Sequence, residues 1–454
     1  MDSLPLEMLE YIMSCMDGQS LIRAKAVCKK WKEVASLFDK KQSHWKMLCY
    51  KDISESILLE SILKKYPYWQ PDNEENEQIN WKELYLAWVH WKGLSCFPFY
   101  IDVLSEEKSC YVTCLKLVGN SIVVGLLNGE IKSWKAGGGE PFLLSRHRSR
   151  VTCLEVLSIF DDRRESESDK KLDYILSTSN DRILKVTYLI DEGMVPHFFD
   201  IYHHEHSTVM VRVLQNYFAT LDESGAVAVF IVNKPNLDDV MPPVHLIAHY
   251  QPSIPPVLSL NIWGSKVSVM TKDGTLFAGE FRKGEDPMKV DFAPENGNVH
   301  VTIVENASSY VSKVNHSKGI EILQYYHWRN NIFMWITDDH KMLISLNGNE
   351  YHEYNMENVL NTYPRTALLY GNMLILGLDS GSVVIYYVET PEELLHLDLQ
   401  SYHWLYPVAK EAVLRMDVWE SSSGPVLGIF TRSNVYLFEW SCSLEDCVCG
   451  EVHT

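Results

Sequence analysis

Arg146, Arg148 and Arg150 alternate through the segment Arg-His-Arg-Ser-Arg. Guanidinium forks at this density suit carboxylate or phosphate oxygens, which they engage bidentately. Further basic side chains, Arg182, Lys272 and Arg432, fall within short polar turns along the chain, and Arg365 adds a fourth. The alternative is that each pairs with one of the many surface acids. Other groups are less suggestive. His203, His204 and His206 have no companions at metal-ligand spacing and read as surface imidazoles of a loop. Cys447 and Cys449, near Cys442 and His453, lack the spacing of a known zinc site. Gly137-Gly138-Gly139 is followed by neither the Lys-Ser/Thr of a phosphate loop nor a dinucleotide-binding unit. With no nucleophile motif, metal spacing or cofactor signature, the sequence predicts no catalytic residue, no metal and no cofactor.

The composition describes what must hold these residues in place. The chain has 454 residues, 46% hydrophobic and 22% charged, with 13 tryptophans. It is a globular protein longer than one ordinary domain. Its net charge is −19. The first 50 residues carry about +2, leaving about −21 on the remainder, an unfavourable balance for wrapping nucleic acid. Ten scattered cysteines, none in a CxxC pair, fit reduced thiols. Neither a signal segment nor an apolar run of about 18 residues is evident, so the expectation is a cytoplasmic or nuclear protein without a membrane partner.

Residues 4–49 read as several short helices. Pro5 suits a first turn, and Leu6, Leu9, Met13 and Met16 recur at helical spacing. Asp17-Gly18 stops that helix, and Ser20 is a plausible N-cap for the next. A third stripe runs Val27, Trp31, Val34, Ala35 and Phe38, and a fourth segment carries Trp45 and Leu48. So short a piece buries little core alone; it docks on its own chain or leaves apolar surface for a partner. Leu4-Pro5, Glu7-x-Leu9-x-x-Ile12, Leu21, Val27-Cys28-x-x-Trp31 and the terminal Trp45 before Leu48-Cys49 closely resemble an F-box. The resemblance implies docking on a Skp-type adaptor through Leu4, Pro5, Leu9, Ile12, Leu21, Val27 and Trp31, and through it attachment to a cullin–RING ligase. The other reading makes the same side chains an internal helical core.

A bridge follows over residues 50–96. Residues 53–66 carry Ile57, Leu58, Ile62 and Leu63 on one helical face, and the acidic stretch 72–77 is a solvated loop. A second helix begins at Asn80, with Glu83 placed for a capping box and a stripe of Trp81, Leu84, Tyr85, Trp88 and Trp91. That stripe reads as a buried strut fixing the angle between the two ends of the protein.

After residue 110 one phrase recurs seven times: an apolar run, a turn of Asn, Asp, Ser or Gly, and a second apolar run. The paired runs cover 121–134, 174–188, 216–231, 266–281, 331–346, 372–387 and 425–440, each preceded by a candidate strand starting near 112, 151, 209, 257, 320, 367 or 413. Units of this size cannot bury both faces alone and must stack on their neighbours. The series, with Trp134 and Trp440 closing two units and His147 standing before Val151, resembles a degenerate WD-repeat propeller over residues 97–454. In that family the loops entering each unit and the turns at its middle share one face. The resemblance therefore gathers Arg146, Arg148, Arg150, Arg182, Lys272, Arg365 and Arg432 there, as a candidate site for an acidic or phosphorylated segment of a protein substrate. Phe97–Val103 is expected to supply the outer strand of the last blade, because a closed ring must pair its last edge. Asp161–Lys171 reads as an inserted charged loop whose Ser166 and Ser168 stand in acidic context.

The expected fold is therefore α+β and multidomain: an all-α F-box over 1–49, a helical linker over 50–96, and a seven-bladed all-β propeller over 97–454. The expected function is substrate recognition in a Skp–cullin–F-box ubiquitin ligase, with ubiquitin transfer left to partner subunits. A non-degradative scaffold built from the same modules is the alternative.

Overall fold

A computed structural model describes residues 4–66, 69, 79–105, 111–119, 121–135, 139–160, 171–188, 198–233, 243–250, 256–272, 276–280, 322–329, 331–346, 351–421 and 424–441. Four short helices open the chain: α1 (Leu6–Ser14), α2 (Gly18–Ala24), α3 (Lys29–Asp39) and α4 (Gln42–Asp52). Pro5 stands immediately before α1, where its missing N–H leaves no bond unmade. The cap of α2 is Asp17 rather than Ser20. Its carboxylate accepts the Ser20 N–H at 2.8 Å and the Ser20 hydroxyl at 2.8 Å, because a carboxylate three residues upstream satisfies a free helix N–H directly. Two longer elements follow, α5 (Glu55–Lys65) and α6 (Trp81–Lys92). Asn80 caps α6 through the Glu83 N–H, as the capping-box spacing predicts.

These six helices share one core. Leu9, Met13, Leu21, Val34, Ala35, Phe38, Trp45 and Leu48 pack with Ile57, Leu58, Ile62, Trp81, Leu84 and Tyr85. The first four helices thus find their missing core in α5 and α6. Trp45 donates its indole N–H to the Phe38 carbonyl at 3.0 Å, and Tyr85 donates to Asp52 at 2.7 Å. The helix start at Gly18 lies against the Tyr85 ring, where a Cβ would stand 2.3 Å from the ring carbon.

The rest is a ring of antiparallel sheets. In the first, β2 (Val112–Val118), β3 (Ser121–Leu126), β4 (Glu130–Lys135) and β5 (Phe142–Arg146) pair in chain order from centre to rim. The same order holds for β6 (Val151–Phe160), β7 (Lys171–Ser179), β8 (Ile183–Tyr188) and β9 (Phe198–His203), and for β10 (Thr208–Leu214), β11 (Tyr217–Asp222), β12 (Val227–Val232) and β13 (Val244–Tyr250). The next sheet has β14 (Val257–Trp263), β15 (Lys266–Thr271) and β16 (Leu276–Glu280). Then come β17 (Ile322–Trp328), β18 (Ile332–Thr337), β19 (Met342–Ser345) and β20 (Tyr351–Tyr354), followed after the short helix α7 (Glu357–Leu360) by β21 (Pro364–Tyr370), β22 (Met373–Leu378), β23 (Ser382–Tyr387) and β24 (Trp404–Pro407).

The final sheet is not made in chain order. β25 (Arg415–Glu420), β26 (Pro425–Phe430) and β27 (Asn434–Trp440) are completed at the rim by β1 (Phe99–Ser105), which pairs from Phe99 opposite Trp440 to Ser105 opposite Asn434. The segment at the start of the ring therefore closes its last blade, the latch expected of residues 97–103. The first strand of each sheet touches the first strand of the next, and β25 touches β2, so the ring is closed. The expected seven four-stranded units become six among the described residues. The sheet of β14–β16 has three strands there, and residues 281–321 lie outside the description. The insertion 161–170, the acidic stretch 72–77, Gly137, Gly138 and the cysteine-bearing tail 442–454 also lie outside it.

The apolar runs of the sequence become strands buried on both faces, as in β11 and β22, where every residue is buried. Most turns between second and third strands use the left-handed backbone, at Gly129, Arg182, Gly225, His340 and Gly381. Gly381, at φ +81°, leaves no room for a Cβ, which would stand 2.2 Å from the Ala409 carbonyl oxygen.

Candidate functional site

The helices stand on one face of the ring, against the turns that join first and second strands. Arg329, in the β17–β18 turn, is buried and donates Nε to Glu60 Oε2 at 3.0 Å and Nη2 to the Gly371 carbonyl at 2.6 Å. Burial opposes ionisation of Glu60, but Lys64 and Arg329 outweigh it and hold its carboxyl below the usual range. Trp88 donates its indole N–H to Asn372 Oδ1 at 2.9 Å, Gln215 donates to the Trp69 carbonyl at 2.8 Å, and Lys65 meets Glu420 at 2.6 Å. Trp91 packs on Tyr370 with ring centroids 5.1 Å apart. The tryptophan stripe of α6 is thus the strut its spacing predicts. It is anchored to the sixth sheet, while Glu60 and Lys65 of α5 and the nearby Trp69 reach turns of the fifth, seventh and third sheets.

Among the described residues nothing covers the opposite face. Its loops are tied to one another: His147 N–H donates to the Gly129 carbonyl at 2.8 Å, and His204 N–H to the Arg182 carbonyl at 2.9 Å. Within this face two histidines are structural. His147 Nδ1 lies 3.0 Å from Asp181 Oδ2 and its Nε2 lies 2.9 Å from Ser177 Oγ. Burial pushes the imidazole down from its ordinary pKa, against the pull of Asp181. Asp181 is opposed by burial too, but the N–H groups of Arg148 and Ile183 and the nearby His147 hold it low. His204 repeats the pattern with Thr220 at 2.9 Å and Asp222 at 3.7 Å. The reading of His204 as a surface imidazole is therefore corrected: it is buried, and it pins the entry loop of its sheet to the middle turn. The signal was a histidine before a strand with an aspartate in the following turn. His203 and His206 are exposed, and among the described residues no three His, Cys, Asp or Glu side chains cluster for a metal.

The structure divides the seven basic candidates. Arg146 is paired with Glu130. Arg365 lies in β21 rather than a loop, donating Nε to Asp379 at 2.7 Å and standing 4.9 Å over the Tyr363 ring. Arg182 is exposed, at φ +71°, and donates Nη1 to the Glu205 carbonyl at 3.2 Å. Arg148, Arg150, Lys272 and Arg432 are exposed and have no side-chain partner among the described residues.

Sequence reasoning missed the charges around the channel. Lys116 of β2 lies 3.0 Å from Glu155 of β6 and 3.3 Å from Asp417 of β25, and Arg212 of β10 reaches Glu155 at 3.1 Å. Burial opposes the charge of Lys116, yet the two carboxylates outweigh it and raise its pKa. Four innermost strands are thereby tied across the ring closure. No spacing marks these residues, because the partners lie up to 301 positions apart.

At the N-terminus, Leu9 and Leu21 are fully buried in the helical core, so in this conformation neither offers surface to an adaptor. Leu4 and Trp31 pack partly against that core, Ile12 is half-buried, and Pro5 and Val27 are exposed. Leu6, Met8 and Tyr11 add exposed apolar area on α1, a feature the motif did not single out.

The chain thus joins a helical module with an exposed apolar surface to one face of a propeller. Comparison with known proteins gives the first end a family: residues 1–51 match the F-box-like model, and the N-terminal module is an F-box-like domain. No curated protein matches the chain. Among solved structures it is similar to the WD40 β-propeller domain of Doa1, at 10% identity and TM-score 0.47, over 76% of this chain and 97% of that one. It is also similar to the computationally designed Ika8 protein, at 13% identity and TM-score 0.38, over 74% of this chain and 98% of that one. Among the described residues no helix is long and apolar enough to cross a membrane.

Proposed function

We propose that this protein is the substrate-recognition subunit of a Skp–cullin–F-box ubiquitin ligase. Its helical module docks a Skp adaptor, its propeller holds a segment of a protein substrate, and ubiquitin transfer is performed by partner subunits. The sheet of β14–β16 counts in this reading as the seventh blade of the ring, with module boundaries at 49 and 96. One observation carries the proposal. The F-box-like helices share one core with α5 and α6, which the Glu60–Arg329 and Trp88–Asn372 contacts fix to one face of the ring, and among the described residues nothing covers the opposite face. A receptor needs this geometry, because transfer onto a bound substrate depends on where the substrate is held.

Among the motif residues, the surface ones, Pro5, Ile12 and Val27, contact the adaptor together with Leu6 and Tyr11, while Leu9 and Leu21 support them from beneath. The test is paired affinity purification from cells of the wild type and of Leu6→Asp/Val27→Asp, with and without proteasome inhibition. Both side chains are about half exposed, at 48% and 55%, so the variant should keep its fold, checked by its melting curve. Adaptor and cullin recovered with the wild type alone, plus clients that accumulate under inhibition, are expected. Adaptor recovery with no client stabilised would point to a non-degradative scaffold, and equal recovery with both forms would rule out docking through this surface.

A further inference from the structure

The open face carries one stretch where apolar and basic side chains adjoin. Tyr111, just before β2, is 53% exposed, and Leu127, in the β3–β4 turn, is 47% exposed. The Leu127 N–H donates to the Tyr111 carbonyl at 2.9 Å, which makes the two segments one surface. The same turn presses on the next entry loop: a Cβ on Gly129 would stand 2.5 Å from the His147 carbonyl oxygen and 2.7 Å from that of Ser149. Beyond it the Arg150 carbonyl accepts the Asn180 N–H at 3.0 Å, leading to Arg182. Tyr111, Leu127, Arg148, Arg150 and Arg182 therefore follow one another on loops tied by backbone hydrogen bonds or by close backbone contact. Two carboxylates of these turns are already engaged, Glu130 by Arg146 and Asp181 by His147 and backbone N–H groups.

We propose that this patch over the first two sheets docks an unmodified acidic segment of a partner protein. An apolar side chain of the segment lies against Tyr111 and Leu127, and its Asp or Glu side chains follow along Arg148, Arg150 and Arg182. The inference rests on the reading of the propeller as a receptor for a protein segment, and it names the chemistry of that segment. Charge complementarity carries it. The chain outside its first 50 residues has a net charge of about −21, so an acidic segment is repelled from most of the surface and attracted here, which sets its position as well as its affinity. The same surrounding charge disfavours nucleic acid. A single phosphate is held best by guanidinium groups already immobilised around it. Arg146 and Arg365, immobilised on this face, are each bound to a carboxylate, and Arg182 is held only by the Glu205 carbonyl, whereas Arg148 and Arg150 are exposed and have no side-chain partner among the described residues. Unheld cations suit several carboxylates spaced along a segment better than one dianion.

The experiment is fluorescence anisotropy of the full chain with four labelled twelve-residue peptides. One has a leucine followed by four Asp/Glu residues; in the others the leucine becomes Ser, the acids become Asn/Gln, or one acid becomes phosphoserine. The first peptide is expected to bind, more weakly as salt rises. Losing either the leucine or the acids should weaken binding by about tenfold or more. Arg148→Glu/Arg150→Glu and Leu127→Asp should each do the same, while Lys410→Glu, in the exposed loop before β25, leaves it unchanged. If the double charge reversal lowers the melting temperature, Arg148→Gln/Arg150→Gln replaces it. No binding of the first peptide, indifference to both arginine variants, or a phosphopeptide bound more than about tenfold tighter would each overturn the proposal. Capture of a Skp adaptor by the same preparation is measured in parallel. Its loss would overturn the ligase reading and leave the peptide result standing.

Discussion

Single contacts decide how the two ends of this protein are joined. Glu60 and Arg329 are both nearly buried, their side chains 10% and 6% exposed, and Lys64 is the further cation on the carboxylate. Removing one partner leaves the other charged and out of water, which costs about 3–5 kcal/mol. Arg329→Ala should therefore lower the stability of the full chain by that order in denaturant titration. The Glu60→Ala/Arg329→Ala pair should lose much less than the sum of the two single changes. Additive losses would mean that the two residues act separately and that the joint is held by Trp88 and Trp91. Arg329 was invisible in the sequence as an anchor. It is an ordinary arginine in a turn until tertiary structure places α5 over it.

Among the elements, β1 has the largest consequence for its length. Its seven residues complete a sheet whose other strands begin some 310 positions later, and Phe99 lies against Trp404, Tyr406, Phe438 and Trp440 with centroids 5.4–5.8 Å apart. Deleting residues 97–104 exposes the edge of β27 and opens the ring. Loss of the cooperative melt is expected for that deletion, while removing 442–454, beyond the last strand, should leave it nearly unchanged. Equal melting of the two truncations would refute the latch. This element was legible in the sequence, because an apolar strand-like segment ahead of the first repeat has few other uses in a closed ring. The strand pairs were legible for the same kind of reason: the turns that bound them are local. The runs expected at 121–134, 372–387 and 425–440 appear as strands ending within a residue or so of those limits.

Across the whole molecule, buried and partly buried imidazoles set the response to acid. His44, His90, His147, His249 and His403 are all pushed below the ordinary value of 6.5, in each case first by burial. The unfolded chain takes up protons near pH 6.5 while the folded protein resists them. Their contribution is thus complete above pH 6.5 and is lost as the pH falls through and below it. Glu60, Asp181 and Asp222 are held low as carboxylates, and their contribution fades only below about pH 4.5. Thermal melts at constant ionic strength should therefore decline from pH 7.5 to pH 5.5, before the carboxylates titrate, with a shallower decline in His147→Gln. A melting temperature independent of pH over that interval would contradict this account.

The sequence by itself determined the architecture: the order of helices and strand pairs, the F-box-like start, the tryptophan strut and the rim strand that closes the ring. Those features rest on local periodicity, on turn residues and on a motif spread over fewer than fifty positions. Tertiary structure decided what is exposed and what is paired. It buried Leu9 and Leu21, turned His204 inward, tied Arg146 and Arg365 to carboxylates while leaving Arg148 and Arg150 open, and drew Lys116, Glu155, Arg212 and Asp417 together. The physical reason is that burial and pairing of a side chain depend on neighbours brought in from distant sheets, and hydrophobic periodicity carries no record of which charge will meet which.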